Sequence, residues 1–228
     1  MSAAAVKTSP TSRKQGFKFG RLLWTLFVVL YLINFFKNFF ADIAAGEAFL
    51  PTLYFTLCLL WLGVEFFFET LFYQSGLVES FNFWLKTGFA VYFYGLHALV
   101  GWDAFAGTQV RFLFPILNIV GLIVLLAGIA VRLWALFAIQ KHKKNLRQVL
   151  SSPPWKWSRH PRYIGMLLIM FAVPLVFFSP WGMLATVVIG LPLWYLSIRW
   201  EERSLLKDWG NIYENYLAKT SIYPRFKR

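Results

Sequence analysis

A chain of 228 residues that is 58% hydrophobic and 20% aromatic, with 14% charged, carries more apolar surface than a soluble domain of this size has interior to bury. Its 25 Phe and 11 Trp call for lipid, which indicates an integral membrane protein. The formal charge of +13 is blocked rather than spread: five basic residues fall in 1–21, eight in 132–162 and seven in 199–228, and the first two blocks hold no acid. Basic blocks alternating with apolar runs follow the positive-inside pattern and suit anionic headgroups, not nucleic acid.

In chain order, residues 1–21 read as a basic cytoplasmic tail, retained because no small-residue cleavage site follows the first apolar run. Four spans follow within 22–140: Leu22–Phe40, with Lys37 snorkelling near its far end, then Phe49–Tyr73, Phe83–Val100 and Phe112–Ile139. Each is near the roughly 20 residues needed to cross about 30 Å of hydrocarbon. Four crossings return the basic block at 132–162 to the side of the basic N-terminus, leaving the weakly charged loops at Asp42–Glu47 and Gly101–Gln109 opposite. Cys58, the only cysteine, sits in an apolar run and excludes an internal disulfide or a cysteine-based zinc cluster. No metal is expected.

Residues 141–228 open with a basic loop and continue into an apolar stretch interrupted by Ser179-Pro180-Trp181-Gly182. That turn signal predicts a helical hairpin. Its first arm, Tyr163–Phe178, is 16 residues and about 24 Å long, slightly short of a full crossing. Pro161 suits the first helical turn, while Pro174 and Pro192 are expected to kink the arms. Leu205, Leu206, Trp209, Ile212, Tyr213, Tyr216 and Leu217 then recur as one apolar stripe, predicting a terminal amphipathic helix. The expected fold is all-α: a polytopic bundle of about six membrane helices, with both termini cytoplasmic.

The hairpin brings Arg159, His160, Arg162 and Tyr163 to the same side as Arg199, Glu201 and Glu202. Basic groups, a positive helix end and paired acids together can hold a zwitterion. The structural alternative has Arg159 and Arg162 snorkelling to headgroups while the two acids pair with Arg199 and Arg203. Glu65 and Glu69, at i, i+4 on the second span, are intramembrane acids and so candidates for substrate contact. Pairing with Arg132 or Lys86 is their structural alternative.

"RHPRYIG", then "EERSLLKDWGNIYENY" and a closing "SIYP", resemble the C-terminal half of the isoprenylcysteine carboxyl methyltransferase and phospholipid N-methyltransferase superfamily, over about residues 130–226. The resemblance implies S-adenosylmethionine bound on the cytosolic side, with His160, Tyr163, Gly165, Glu201, Glu202 and Tyr213 contacting it. Gly165 would let the ligand or a neighbouring helix come close, and Tyr216 would serve mainly in packing. Arg199 and Glu202 are the expected catalytic residues, and Glu65, Glu69 and Arg162 the expected acceptor contacts. Two departures stand out: "SSPPWKWS" replaces the family's Gly-Pro-Tyr approach, and Arg162 stands where a small or apolar residue is usual. The acceptor is expected to be a lipophilic small molecule or a lipidated group. A sterol-reductase-like "SRHPxYxG" segment makes an NADPH-dependent membrane reductase the runner-up, and a non-catalytic lipid-binding scaffold is a second alternative.

Overall fold

The computed structural model describes residues 49–72, 83–106, 116–141 and 146–221, with isolated helical positions at 26, 29, 30, 33 and 37. The predicted span at 22–40 otherwise lies outside the described residues, as does the basic tail. Every regular element described is helical: α1 Phe49–Phe72, α2 Phe83–Ala106, α3 Ile116–Lys141, α4 Leu146–Ser151, α5 Pro161–Val176, α6 Pro180–Ala185, a π turn Thr186–Gly190, α7 Leu191–Trp209 and α8 Asn211–Lys219. α3 (mean hydropathy 2.5) and the continuous Pro180–Trp209 run (1.6) are each long and apolar enough to cross a bilayer. α2 runs six residues past the expected end at Val100, through Trp102 and Asp103. Gly101 does not stop it, and the buried Asp103 carboxylate accepts the Ser179 hydroxyl across the helix pair.

The predicted hairpin is present, and its turn has a definite local chemistry. α5 ends with Phe178 N–H on Leu175 O and Ser179 N–H on Pro174 O (3.0 Å), which places Phe178 at φ 53°. A non-glycine residue pays for that left-handed conformation, and the Phe178 ring is buried in return. Ser179 then caps α6 by accepting from Gly182 N–H at 2.8 Å, with Pro180 following at the first helical position. The predicted proline kinks take a different form. Pro174 lacks the N–H that would bond Met170 O, and the Thr186 hydroxyl approaches that carbonyl at 3.5 Å. Ahead of Pro192 the backbone widens into the π turn, with Leu191 N–H reaching Thr186 O.

α3 and α5 pack antiparallel with almost no side-chain spacer. A Cβ on Gly165 would lie 2.6 Å from Gly128 O, and one on Gly121 would lie 2.7 Å from Val176 N. Small residues of this kind let membrane helices meet backbone to backbone. Asn118 Nδ2 closes the far end of the contact by donating to Val176 O at 2.7 Å. Around this seam the core gathers Tyr54, Cys58 and Leu62 from α1, Phe93 and Leu96 from α2, and Trp194 and Ile198 from α7.

Exposed tryptophans mark two levels. Trp102 and Trp181 lie at the hairpin-turn end, and Trp134, Trp157 and Trp200 at the opposite end, with exposed Val187, Val188, Ile189 and Leu196 between Trp181 and Trp200. Nineteen residues of helix separate those two, about 28 Å, close to the thickness of a hydrocarbon core. Aromatic side chains favour the two interfaces, and His160 and the acids on α7 lie at the end of the bundle marked by Trp134, Trp157 and Trp200.

The single terminal amphipathic helix expected from the apolar stripe is corrected. Gly210, at φ 47°, ends α7 by donating to Leu206 O at 2.9 Å, and α8 starts anew at Asn211. Glycine adopts that backbone without a Cβ penalty. The turn lets α8 fold back, so that Tyr213 and Tyr216 are buried while Leu206 stays exposed.

Candidate functional site

The first turn of α5 is built to release its cap residue. His160 occupies the N-cap position without a side-chain capping bond. Its carbonyl accepts from Tyr163 N–H and Ile164 N–H (3.0 and 3.1 Å), and its own N–H rests on Ser158 Oγ at 3.2 Å. Pro161, next in line, has no N–H to satisfy. The imidazole therefore turns to α7.

On α7 the buried stripe Trp194, Ser197, Ile198 and Glu202 follows helical spacing and carries an acid into the interior two turns beyond Trp194. Trp194 Nε1 donates to Tyr163 O at 2.7 Å and locks α7 against α5. His160 Nε2 meets Glu202 Oε1 at 3.1 Å, and Nδ1 lies 3.4 Å from Glu201 Oε2, within ion-pair range but without hydrogen-bond alignment. Arg159 joins Glu202 Oε1 at 3.1 Å, while Arg199, 54% exposed, reaches Glu202 Oε2 only at 3.8 Å. Tyr163 is a hydrogen-bond partner of Glu201.

The loop before α5 is fastened from two sides. Trp155 Nε1 donates to Ala135 O at 3.3 Å. The Tyr216 hydroxyl donates to Trp155 O at 2.6 Å, and Arg159 N–H bonds Ser221 O at 2.9 Å. Tyr216 thus acts as a strut, in line with the packing role expected of it. Tyr213 stands differently: its hydroxyl is buried and has no hydrogen-bond partner among the described residues.

Electrostatics follow from burial and the two acids. Desolvation of the His160 ring favours the neutral form, but the hydrogen bond with Glu202 and the charges of Glu201 and Glu202 outweigh it, so its pKa is raised above the ordinary 6.5. Burial pushes the Tyr213 hydroxyl upward, and the fields of Glu201 and Glu202 push the same way, keeping it a proton donor. Charged His160 therefore stabilises the folded protein fully below about pH 6.5, and that contribution is lost as pH rises through the raised value. Wild type in detergent should lose thermal stability from pH 6 to 9, and His160→Gln should show a flatter profile. Equal slopes would contradict the assigned charge.

Of the predicted site residues, the structure brings together His160, Arg162, Tyr163, Glu201, Glu202 and Tyr213, with Arg199 at the rim. Gly165 lies one turn further along α5, but the space beside it is filled by Gly128 and Arg132, so its smallness serves helix approach. Glu65 is almost fully buried and held by Arg132, whose Nε lies 2.7 and 2.8 Å from the two carboxylate oxygens. Arg132 NH1 also donates to Arg162 O at 3.2 Å, joining α1 to the first turn of α5. The side chain of Glu69 lies outside the described residues. Headgroup snorkelling of Arg162 is corrected: the residue is 6% exposed. The sequence places Arg159 in the basic cluster but does not show its direct pairing with Glu202, nor Trp194 as the lock between the arms. The RHP motif and the spacing of Trp194 from Glu202 were the available signals.

The donor set suits a polar ligand that accepts hydrogen bonds from it. Arg159 Nε, His160 Nδ1, Arg162 Nε and the Tyr213 hydroxyl are buried without hydrogen-bond partners among the described residues, beside two carboxylates. Orphaned buried donors of this density ask for a partner. No metal-ligating cluster of three or more His, Cys, Asp or Glu occurs among the described residues.

Comparison with known proteins gives a family match. The family model described as phospholipid methyltransferase aligns with residues 116–212, from the start of α3 into α8. No curated protein and no solved structure matches the chain. The matched segment contains the α3–α5 seam, the whole hairpin and every residue from His160 to Glu202. Over residues 116–212 the chain matches the phospholipid methyltransferase family, which lies within the superfamily of integral membrane methyltransferases that includes the isoprenylcysteine carboxyl methyltransferases.

Proposed function

We propose that the protein transfers a methyl group from S-adenosylmethionine to a lipophilic or lipidated acceptor that reaches the site from the membrane. The observation that carries this reading is the His160–Glu201–Glu202 cluster ringed by orphaned donors at the bilayer interface. In this reading residues 141–228 form the catalytic region, 22–140 the membrane region and 1–21 a basic tail, with both termini and the site cytoplasmic. The concentration of Lys and Arg in 1–21, 132–162 and 199–228 supports that orientation.

When bound, the cofactor supplies an electrophilic methyl on a sulfonium. The chain's part is binding, orientation and exclusion of water. Glu201 and Glu202 accept from ammonium or ribose hydroxyl groups. The Tyr213 hydroxyl and the free Arg159 Nε donate to oxygen acceptors, and Tyr163 holds Glu201 in place. His160 keeps the two acids at fixed separation. Arg199, exposed at the rim, is placed to orient the reacting group of the acceptor.

Thermal unfolding in detergent tests the assignment. A ligand at 100 times its dissociation constant adds about 2.7 kcal/mol, so S-adenosylhomocysteine should stabilise wild type clearly. It should stabilise His160→Ala and Glu202→Ala little or not at all, and NADPH should have no effect on any of the three. Stabilisation by NADPH alone would overturn the methyltransferase reading in favour of a reductase.

A further inference from the structure

We propose that Arg162 forms an oxyanion-binding subsite, taking one carboxylate or phosphate group of the ligands bound beside Glu201. The identity of those ligands rests on the methyltransferase reading; the subsite rests on the side chain itself. The other cations of the cluster are all engaged: Arg132 with Glu65, Arg159 and Arg199 with Glu202, and His160 with both acids. Arg162 is the exception. It is 6% exposed, its Nε is buried without a hydrogen-bond partner, and no carboxylate of the described residues pairs with it.

The nearby acids are already committed. Glu202 Oε1 takes Arg159 and His160 and Oε2 faces Arg199, while Glu201 takes His160 and Tyr163. Arg162 lies within electrostatic reach of Glu201 but forms no ion pair with it. A buried arginine whose Nε has no partner among the described residues is costly, and an anionic group of a bound ligand would supply one. Its backbone is fixed for that purpose, since Arg132 NH1 holds the Arg162 carbonyl at 3.2 Å. The position also lies in the first turn of α5, where the helix end adds positive potential. A planar guanidinium matches carboxylate and phosphate oxygens two at a time, which an ammonium does not.

That oxyanion has two possible sources, the amino-acid carboxylate of the cofactor or an acidic group on the acceptor, and binding measurements separate them. Wild type, Arg162→Gln and Arg162→Lys, each in non-ionic detergent, would be titrated with S-adenosylhomocysteine and its decarboxylated analogue. They would also be titrated with phosphatidic acid and diacylglycerol in mixed micelles, following tryptophan fluorescence. Arg162→Gln should weaken at least one anionic probe by about tenfold or more, as loss of a charge-assisted bond requires, and its uncharged counterpart by less than about twofold. Loss confined to S-adenosylhomocysteine assigns the oxyanion to the cofactor; loss confined to phosphatidic acid assigns it to the acceptor. Arg162→Lys should fall between, and it decides the matter alone if Arg162→Gln does not fold. Affinities for both anionic probes unchanged in the folded variants would overturn the proposal, as would a wild type that binds neither. Wild type that binds phosphatidic acid through Arg162 but not S-adenosylhomocysteine would sink the methyltransferase reading and leave the subsite standing.

Discussion

Glu65→Ala should destabilise the protein by about 3–5 kcal/mol, the range for removing one partner of a buried ion pair. Glu65 is 1% exposed, and both its oxygens take the Arg132 guanidinium. Without the carboxylate, the Arg132 guanidinium keeps its bond to Arg162 O and its place over the Trp61 ring at 5.8 Å, but loses its counter-charge. Unfolding in detergent, followed by helical signal against temperature, would register the loss. Because Arg132 also holds the first turn of α5, Glu65→Ala should weaken S-adenosylhomocysteine binding as well. Replacing both partners by apolar residues of similar size should recover most of the stability but not the binding. A single variant as stable as wild type would contradict the buried pair.

Gly165→Ala is expected to cost about 3 kcal/mol, toward the upper end for overpacking. One added methyl would lie 2.6 Å from Gly128 O, 2.8 Å from Arg132 Cβ and 2.9 Å from Arg132 N. Two of those three atoms belong to the backbone, so no rotamer change clears them, and α3 and α5 must separate. Gly63 supplies the control. A Cβ there meets nothing within 4 Å, so Gly63→Ala should be neutral or slightly stabilising by reason of helix propensity. Equal stability of the Gly165 and Gly63 variants would contradict the close seam.

Local chemistry was legible wherever one short segment decides it. Ser179-Pro180-Trp181-Gly182 announces the hairpin turn because cap, proline and small residue are adjacent in sequence. The helix Pro161–Val176 starts at the proline expected in its first turn but ends two residues short of the apolar run, which continues to Phe178. His160, Glu201 and Glu202 were legible as a group only through the family pattern. Glu65 shows the limit: Arg132 and Lys86 were both candidates in sequence, and a pair 67 residues apart is chosen by how α1 lies against α3. Gly210 was hidden for a different reason. The apolar stripe runs through it in helical register, so periodicity masked the glycine that breaks the helix. Arg162 has charge and position that suit a headgroup contact, and its burial depends on how α5 sits against its neighbours.

Methyl transfer to a membrane-borne acceptor is the reaction proposed for the cluster around His160 and Glu202. The most direct measurement incubates membranes containing the wild type or Glu202→Gln with S-adenosylmethionine labelled on its methyl, then counts label in the organic-extractable fraction. Transfer well above that of membranes lacking the protein, reduced about a hundredfold or more in Glu202→Gln for the loss of charge-assisted contacts worth about 3 kcal/mol, is the predicted result. Wild-type membranes that transfer no more label than those lacking the protein, or a Glu202→Gln variant that transfers as much as wild type, would contradict it.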